Sequence, residues 1–216
     1  RPGKPVHPIG AFMKLLLLSA LLFSFSAHAE MPATSSVETD SAMEEFNPYA
    51  PDAEAQLDAF DAAIEAETGE SPFLEQSLVQ TASDCYRDSC RVWIDVDKAT
   101  QTARLYLDGR LVNQWLVSTG LPGTPTPNFD RHPNGRIYQK YSSNKFPGGD
   151  YKGLGNMPYA VFIKGGFALH GTPQGNWSKL GRKASHGCIR MHPDNGAYFN
   201  QLVRSVGISQ TWITVR

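Results

Sequence analysis

Cysteine is scarce in this chain, with three in 216 residues. Cys85 and Cys90 have four residues between them, and Cys188 stands alone. Two thiols do not make a zinc site, and no further Cys/His pair has a matching spacing, so no zinc site is expected. Long apolar runs are missing as well. The longest, Leu15 to Ser26, has twelve residues, well short of the roughly 20 that cross a bilayer. Lysine and arginine are absent from residues 30–86, which carry 14 Asp/Glu. Residues 87–216 hold 17 Lys/Arg against 7 Asp/Glu, a net of +10. The overall charge of −1 thus joins two halves of opposite sign. A basic domain steers anionic partners towards itself. No basic helix with interleaved aromatics is present, which argues against nucleic acid as that partner.

The N-terminal residues set the compartment. Residues 1–12, with three prolines and no initiating Met, read as an upstream extension. Residues 13–29 read as a signal peptide: Met13-Lys14, the apolar run, then Ala27-His28-Ala29 as a cleavage site before Glu30. No Cys follows that site, so a lipoprotein anchor is not expected. An exported chain tolerates disulfides, and a Cys85–Cys90 bridge is expected. That pairing leaves Cys188 as the odd thiol.

Residues 30–84 read as an acidic linker holding one short helix. Leu57, Phe60 and Ile64 fall at helical spacing between Asp52, a candidate cap, and Gly69, a candidate stop. Its apolar stripe is thin, so the segment is expected to pack loosely on the basic domain and to be dispensable for chemistry. Phe73-Leu74 and Leu78-Val79 suggest a second docking segment.

Residues 85–216 read as one mostly β domain, a sandwich or barrel with one main helix. Val92, Ile94 and Val96 alternate with polar or amphipathic residues. Residues 104–112 read as a hairpin about Asp108-Gly109, residues 114–118 as a further strand. Residues 121–157 form a loop region rich in Gly, Pro and Asn. Residues 159–164 and 167–169 read as strands, Pro193 to Val203 as the helix, and Thr211 to Val215 as a closing strand.

The chemistry concentrates between His170 and Arg190. His170 ends the apolar run Phe167-Ala168-Leu169, and after fourteen intervening residues comes Ser185-His186-Gly187-Cys188. A cysteine attacks as thiolate, and with a pKa of about 8.5 only a few per cent is ionised at pH 7. A neighbouring imidazole holds the proton, and amides around a glycine can face an oxyanion. A lone Cys is more often buried structure than nucleophile. Two histidines, a serine and a glycine about it shift that balance.

The full pattern, His170, then Ser185 to Cys188, an apolar residue and Arg190, resembles the signature of the L,D-transpeptidase catalytic domain. These are bacterial peptidoglycan cross-linking cysteine enzymes. Val117-Ser118-Thr119-Gly120 and Met157-Pro158-Tyr159-Ala160-Val161-Phe162 look like further landmarks of it. The resemblance covers roughly residues 91–216. Many members carry Asn where this chain has Arg190, which bears on substrate detail. The resemblance implies that Cys188 attacks the diaminopimelate carbonyl of a tetrapeptide stem and releases D-Ala. The acyl group then passes to an amine, forming a 3→3 cross-link, with no metal or cofactor required. His170 would be the proton donor and acceptor, the Gly171 carbonyl its orienter, and amides near Gly187 and Cys188 the oxyanion site. His186 and Ser185 would shape the loop. Arg190, Ser185, Tyr159 and Trp177 would meet the substrate. The implied partners are peptidoglycan stem peptides, with another stem, a free D-amino acid or a wall-linked lipoprotein as acceptor. A monomer in the periplasm or cell wall is expected. Two other readings are an L,D-carboxypeptidase or peptidase hydrolysing the same bond, and a non-catalytic wall-binding module. A papain-like peptidase is disfavoured because its Cys precedes its His in sequence.

Overall fold

Valine or isoleucine at every second position from 92 to 96 builds the first strand, β1 (Val92–Asp97), with Val92, Ile94 and Val96 buried. This computed structural model describes residues 47–73, 85–142 and 149–216. The upstream extension, the signal peptide, residues 30–46 and the Leu78-Val79 segment lie outside the described residues. Asp95 of β1 is buried too. Its carboxylate takes two hydrogen bonds from Arg216, at 2.9 and 3.1 Å, with Arg104 at 3.8 Å. A buried charge persists where it is paired in this way.

β2 (Thr102–Leu107) returns antiparallel to β1. Asp108 and Gly109 both adopt positive φ, 47° and 72°, as the tight hairpin turn requires. β3 (Arg110–Ser118) then runs as one nine-residue strand, where two segments were expected. The register shifts so that Leu111 faces Tyr106 and Asn113 faces Leu105. Val112 is thus a bulge that the strand absorbs without breaking.

The remaining strands are β4 (Phe129–Arg131), β5 (Val161–Lys164), β6 (Phe167–Gly171), β7 (Ile189–Met191) and β8 (Thr211–Val215). α2 (Pro193–Val206) precedes β8 and buries Phe199 and Val203. The sheet order is β4-β8-β1-β2-β3-β7-β6-β5. Two pairs are parallel, β1 with β8 and β6 with β7. The ends of the sheet approach each other: the rings of Phe129 on β4 and Phe167 on β6 lie 5.5 Å apart. The sheet is therefore a nearly closed barrel, and a cleft of about 490 Å³ lies where it stays open. One core fills the barrel, with Ile94, Leu105, Leu169, Ile189 and Phe199 among its members.

A second core lies on the other face of β5 and β6 and contains Tyr138, Tyr141, Phe162, Ala168 and Cys188. The acidic segment completes it. α1 (Ala53–Thr68) inserts Leu57, fully buried, with Phe60 and Ile64 against the same cluster. Gly69, left-handed at φ 71°, closes the helix through its N–H to Glu65 O. Asp52 makes no capping bond to the helix backbone; its carboxylate accepts from Gln56 Nε2 at 2.8 Å.

Loose packing was expected of this helix, and the structure corrects that. Arg136 donates to Asp61 at 2.9 Å, Glu54 at 2.7 Å and Asp58 at 2.6 Å. These acids share one helical face, and Asp61 also accepts from the Tyr138 hydroxyl. The thin apolar stripe gave no sign of this, because a single arginine from the catalytic domain supplies the anchor. Phe73 follows, bridging to Arg136 with the guanidinium 5.2 Å from its ring. Cys85 and Cys90 are disulfide-bonded, Cα–Cα 4.9 Å.

Candidate active site

The parallel pairing of β6 and β7 sets Leu169 beside Ile189, His170 beside Arg190 and Gly171 beside Met191. Side chains alternate between the faces of a strand. Leu169, Ile189 and Met191 therefore enter the barrel core. Ala168 and His170, with Cys188 and Arg190, take the opposite face, where Ala168 and Cys188 join the second core. The fold thus brings His170, on β6, and Cys188, at the entry to the neighbouring β7, to the same side of the sheet, although eighteen positions separate them in sequence. Both are buried, at 0% and 1% exposure.

His170 Nδ1 lies 2.7 Å from Gly171 O. A carbonyl only accepts, so Nδ1 carries the hydrogen, and Nε2 holds the basic lone pair of the neutral ring. Gly171 itself is tightly enclosed. Its N–H donates to Pro158 O at 2.8 Å, and a Cβ there would sit 2.9 Å from Pro193 Cα. Cys188 Sγ lies 3.5 Å from Gly166 O, across the β5–β6 turn.

The turn before Cys188 is held from within and from behind. Ser185 Oγ donates to Cys188 O at 2.5 Å and accepts the Gly187 N–H at 3.2 Å. Ser185 is fully buried, and its hydroxyl supports the turn from inside the loop. The Gly187 amide, expected at the oxyanion, donates to Ser185 Oγ. Gly187 has φ 123°, a conformation that favours glycine. Behind the turn, Thr126 Oγ1 donates to Gly187 O and accepts from Gly120 N–H, both at 2.8 Å. Thr119 O accepts the Ala184 and Ser185 amides at 2.9 and 3.0 Å, and buried Gln101 grips Thr119 through both ends of its amide.

The other expected residues divide. Arg190 is buried beside His170 in the register and donates to Ala184 O at 2.7 Å; its guanidinium is part of the wall of the site. Tyr159 follows Pro158, whose carbonyl holds Gly171, and takes φ 59°. An aromatic residue in the left-handed region is strained backbone of the kind that collects at functional sites. His186 is half-buried in the turn. Trp177 lies past the end of β6, donating to Thr172 O at 2.9 Å with its ring 4.4 Å from that of His192. It anchors the turn after β6.

Tyr141 shares the second core with Cys188, and Tyr49 lies against Gly187. Burial, and then the nearby Cys188 charge, push up the phenol of Tyr141 and that of Tyr49. Neither was singled out from the sequence, nor were Thr126 and Gln101. Thr126 sits in the Gly/Pro-rich loop, whose unusual length was the available signal. Tyr49 lies in a stretch that reads as linker and carried none.

The family model for the YkuD, or L,D-transpeptidase catalytic, domain matches residues 91–210. Solved structures are similar at low identity. An L,D-transpeptidase from Mycobacterium smegmatis is 23% identical over 59% of each chain, with a TM-score of 0.44. One from Mycobacterium tuberculosis H37Rv is 22% identical over 59% of this chain and 58% of that one, TM-score 0.44. One from Stackebrandtia nassauensis is 19% identical over 65% and 61%, TM-score 0.44. The chain spans about three fifths of the length of these structures. No curated protein matches it. On the domain match over residues 91–210, the chain belongs to the L,D-transpeptidase catalytic domain family.

Proposed function

We propose that this chain is an exported peptidoglycan L,D-transpeptidase. The observation that carries the reading is the parallel pairing of β6 with β7, which sets His170 beside Arg190 with buried Cys188 at the entry to β7, and His170 Nδ1 held by the Gly171 carbonyl. In the proposed reaction His170 Nε2 takes the Cys188 proton. The sulfur then attacks the diaminopimelate carbonyl of a tetrapeptide stem. The C–N bond to D-Ala breaks, and His170 returns its proton to the departing amine, leaving a thioester. An acceptor amine attacks that thioester, loses a proton to His170, and expels the thiolate, which is reprotonated. Amides about Cys188 stabilise the tetrahedral oxyanion; one such donor is worth ~3 kcal/mol of barrier. The net charge of +10 over residues 87–216 draws anionic stems and wall polymers to the domain.

Transfer and hydrolysis differ only in whether amine or water captures the thioester. Incubation with tetrapeptide-stem muropeptides tests the reading. New 3→3 dimers together with free D-Ala are the expected products. Tripeptides without dimers would make the enzyme a carboxypeptidase. No product, or the same products from Cys188→Ser, would overturn the reading.

A further inference from the structure

The residues lying over the nucleophile come from outside the catalytic strands. A Cβ built on Gly187, next to Cys188, would meet Pro48 Cγ and Tyr49 Cε2 at 3.0 Å each. Tyr49 is fastened there: its hydroxyl donates to Pro125 O, and its ring meets Phe167 edge-on at 5.1 Å. Pro48 also walls the open cleft of the barrel, together with Gly166, whose carbonyl lies 3.5 Å from Cys188 Sγ. Tyr49 keeps 44% of its surface in water while Cys188 is 1% exposed. That contrast describes a lid with a wet outer face, not a core residue.

The lid is tied down by the residues that follow it. Ala50 is packed on the second core and leads into α1, where Leu57 enters the cluster that contains Cys188. The three carboxylates of Glu54, Asp58 and Asp61 close on Arg136. Residues 47–73 carry seven Asp/Glu and no Lys or Arg. The segment therefore has the charge sign that the basic domain attracts in an anionic substrate.

We infer that residues 47–68 are an intrachain cover on Cys188: Pro48 and Tyr49 lie over the turn that carries it, α1 holds them there through Arg136, and an acyl donor reaches the sulfur only when they leave. The inference rests on the reading of Cys188 as nucleophile, but its test needs no turnover. A neutral thiol reagent reports access to the sulfur whatever the enzyme transfers.

The experiment is alkylation of the full chain by iodoacetamide, followed by mass spectrometry of the Cys188 peptide. Cys85 and Cys90 are disulfide-bonded, so Cys188 is the thiol that reacts. A cover open in ~10% of molecules or fewer slows labelling by about tenfold or more. Tyr49→Ala is expected to recover that factor. The double substitution Glu54→Gln/Asp58→Asn, at side chains 63% and 66% exposed, loosens the latch without touching the core and is expected to give a several-fold rise. Equal labelling rates in all three proteins overturn the inference. A measurement on the unaltered chain guards against misfolding of the variants. Labelling Cys188 with a bulkier maleimide should accelerate hydrogen exchange across residues 50–68 and leave β1 and β2 unchanged. Unchanged exchange in residues 50–68 after complete labelling also overturns it. Failure of muropeptide turnover with these results intact would remove the transpeptidase reading and leave the cover standing.

Discussion

Arg136→Met is the substitution that separates the arm from the catalytic domain. Arg136 is nearly buried, and so is Asp61, while Glu54 and Asp58 are mostly in water. The two exposed pairs are worth about 0.2–1 kcal/mol each. Asp61 is different, since removing its partner leaves an uncompensated buried carboxylate, a loss of about 3–5 kcal/mol. The expected weakening of arm docking is therefore about 4 kcal/mol, close to a thousandfold in the docking equilibrium. α1 relieves the penalty by undocking, which returns Asp61 to water. The barrel core contains none of these residues and should survive. Native-state hydrogen exchange reads both parts at once: amides of residues 53–68 should lose most of their protection, and those of β1, β2 and β8 little. Adding Asp61→Asn removes the stranded charge but keeps an acceptor for the Tyr138 hydroxyl. The double variant should thus recover at least about 1 kcal/mol, a non-additivity expected of groups in contact. A loss below about 1 kcal/mol in Arg136→Met, or strict additivity in the double variant, would refute the reasoning.

Two further outcomes follow from the same geometry. In Gly120→Ala the new methyl would lie 2.0 Å from Thr124 O and 2.7 Å from Thr126 N; the backbone must shift, costing about 1–3 kcal/mol, and loosening Thr126 should slow acylation of Cys188, readable by calorimetry and adduct kinetics. Hydrogen bonds from Arg87, then from Trp212 and Thr214, hold the Asp130 carboxyl down at about 2, against an ordinary 3.8. Asp130 therefore contributes stability that is present above about pH 4 and lost as pH falls through about 2. Because its side chain is 37% exposed, solvent screening reduces that contribution to about 1 kcal/mol; urea unfolding of Asp130→Asn should differ from the parent by this much at pH 7 and converge with it near pH 2.

The local elements were legible because their signals are local. Alternation marked β1, Asp108-Gly109 marked the hairpin, and Pro193 with its apolar face marked α2. Leu57, Phe60 and Ile64 placed α1 to within a residue at each end. What could not be read was set by contacts distant in sequence. No periodicity shows that β6 and β7 run parallel, yet that register is what puts His170 and Cys188 on the same side of the sheet. Ser185 and the Gly187 amide looked available because sequence does not reveal that one turn uses both. The docking of α1 depends on Arg136, 75 positions beyond Asp61, and Tyr49 depends on Pro125, 76 positions away. A stretch with weak local propensity reads as linker until the surface that orders it is known.

The central claim is that Cys188 is the acylated residue and that His170 enables it. Its most direct measurement is peptide mapping after exposure to a carbapenem, whose strained carbonyl traps a thiolate, with adduct formation followed in time. The account predicts a single adduct on the peptide containing Cys188, absent in Cys188→Ser, and slowed by orders of magnitude in His170→Ala, with both variants retaining the parent's melting transition. An adduct on another residue, or an undiminished rate in His170→Ala, would contradict it.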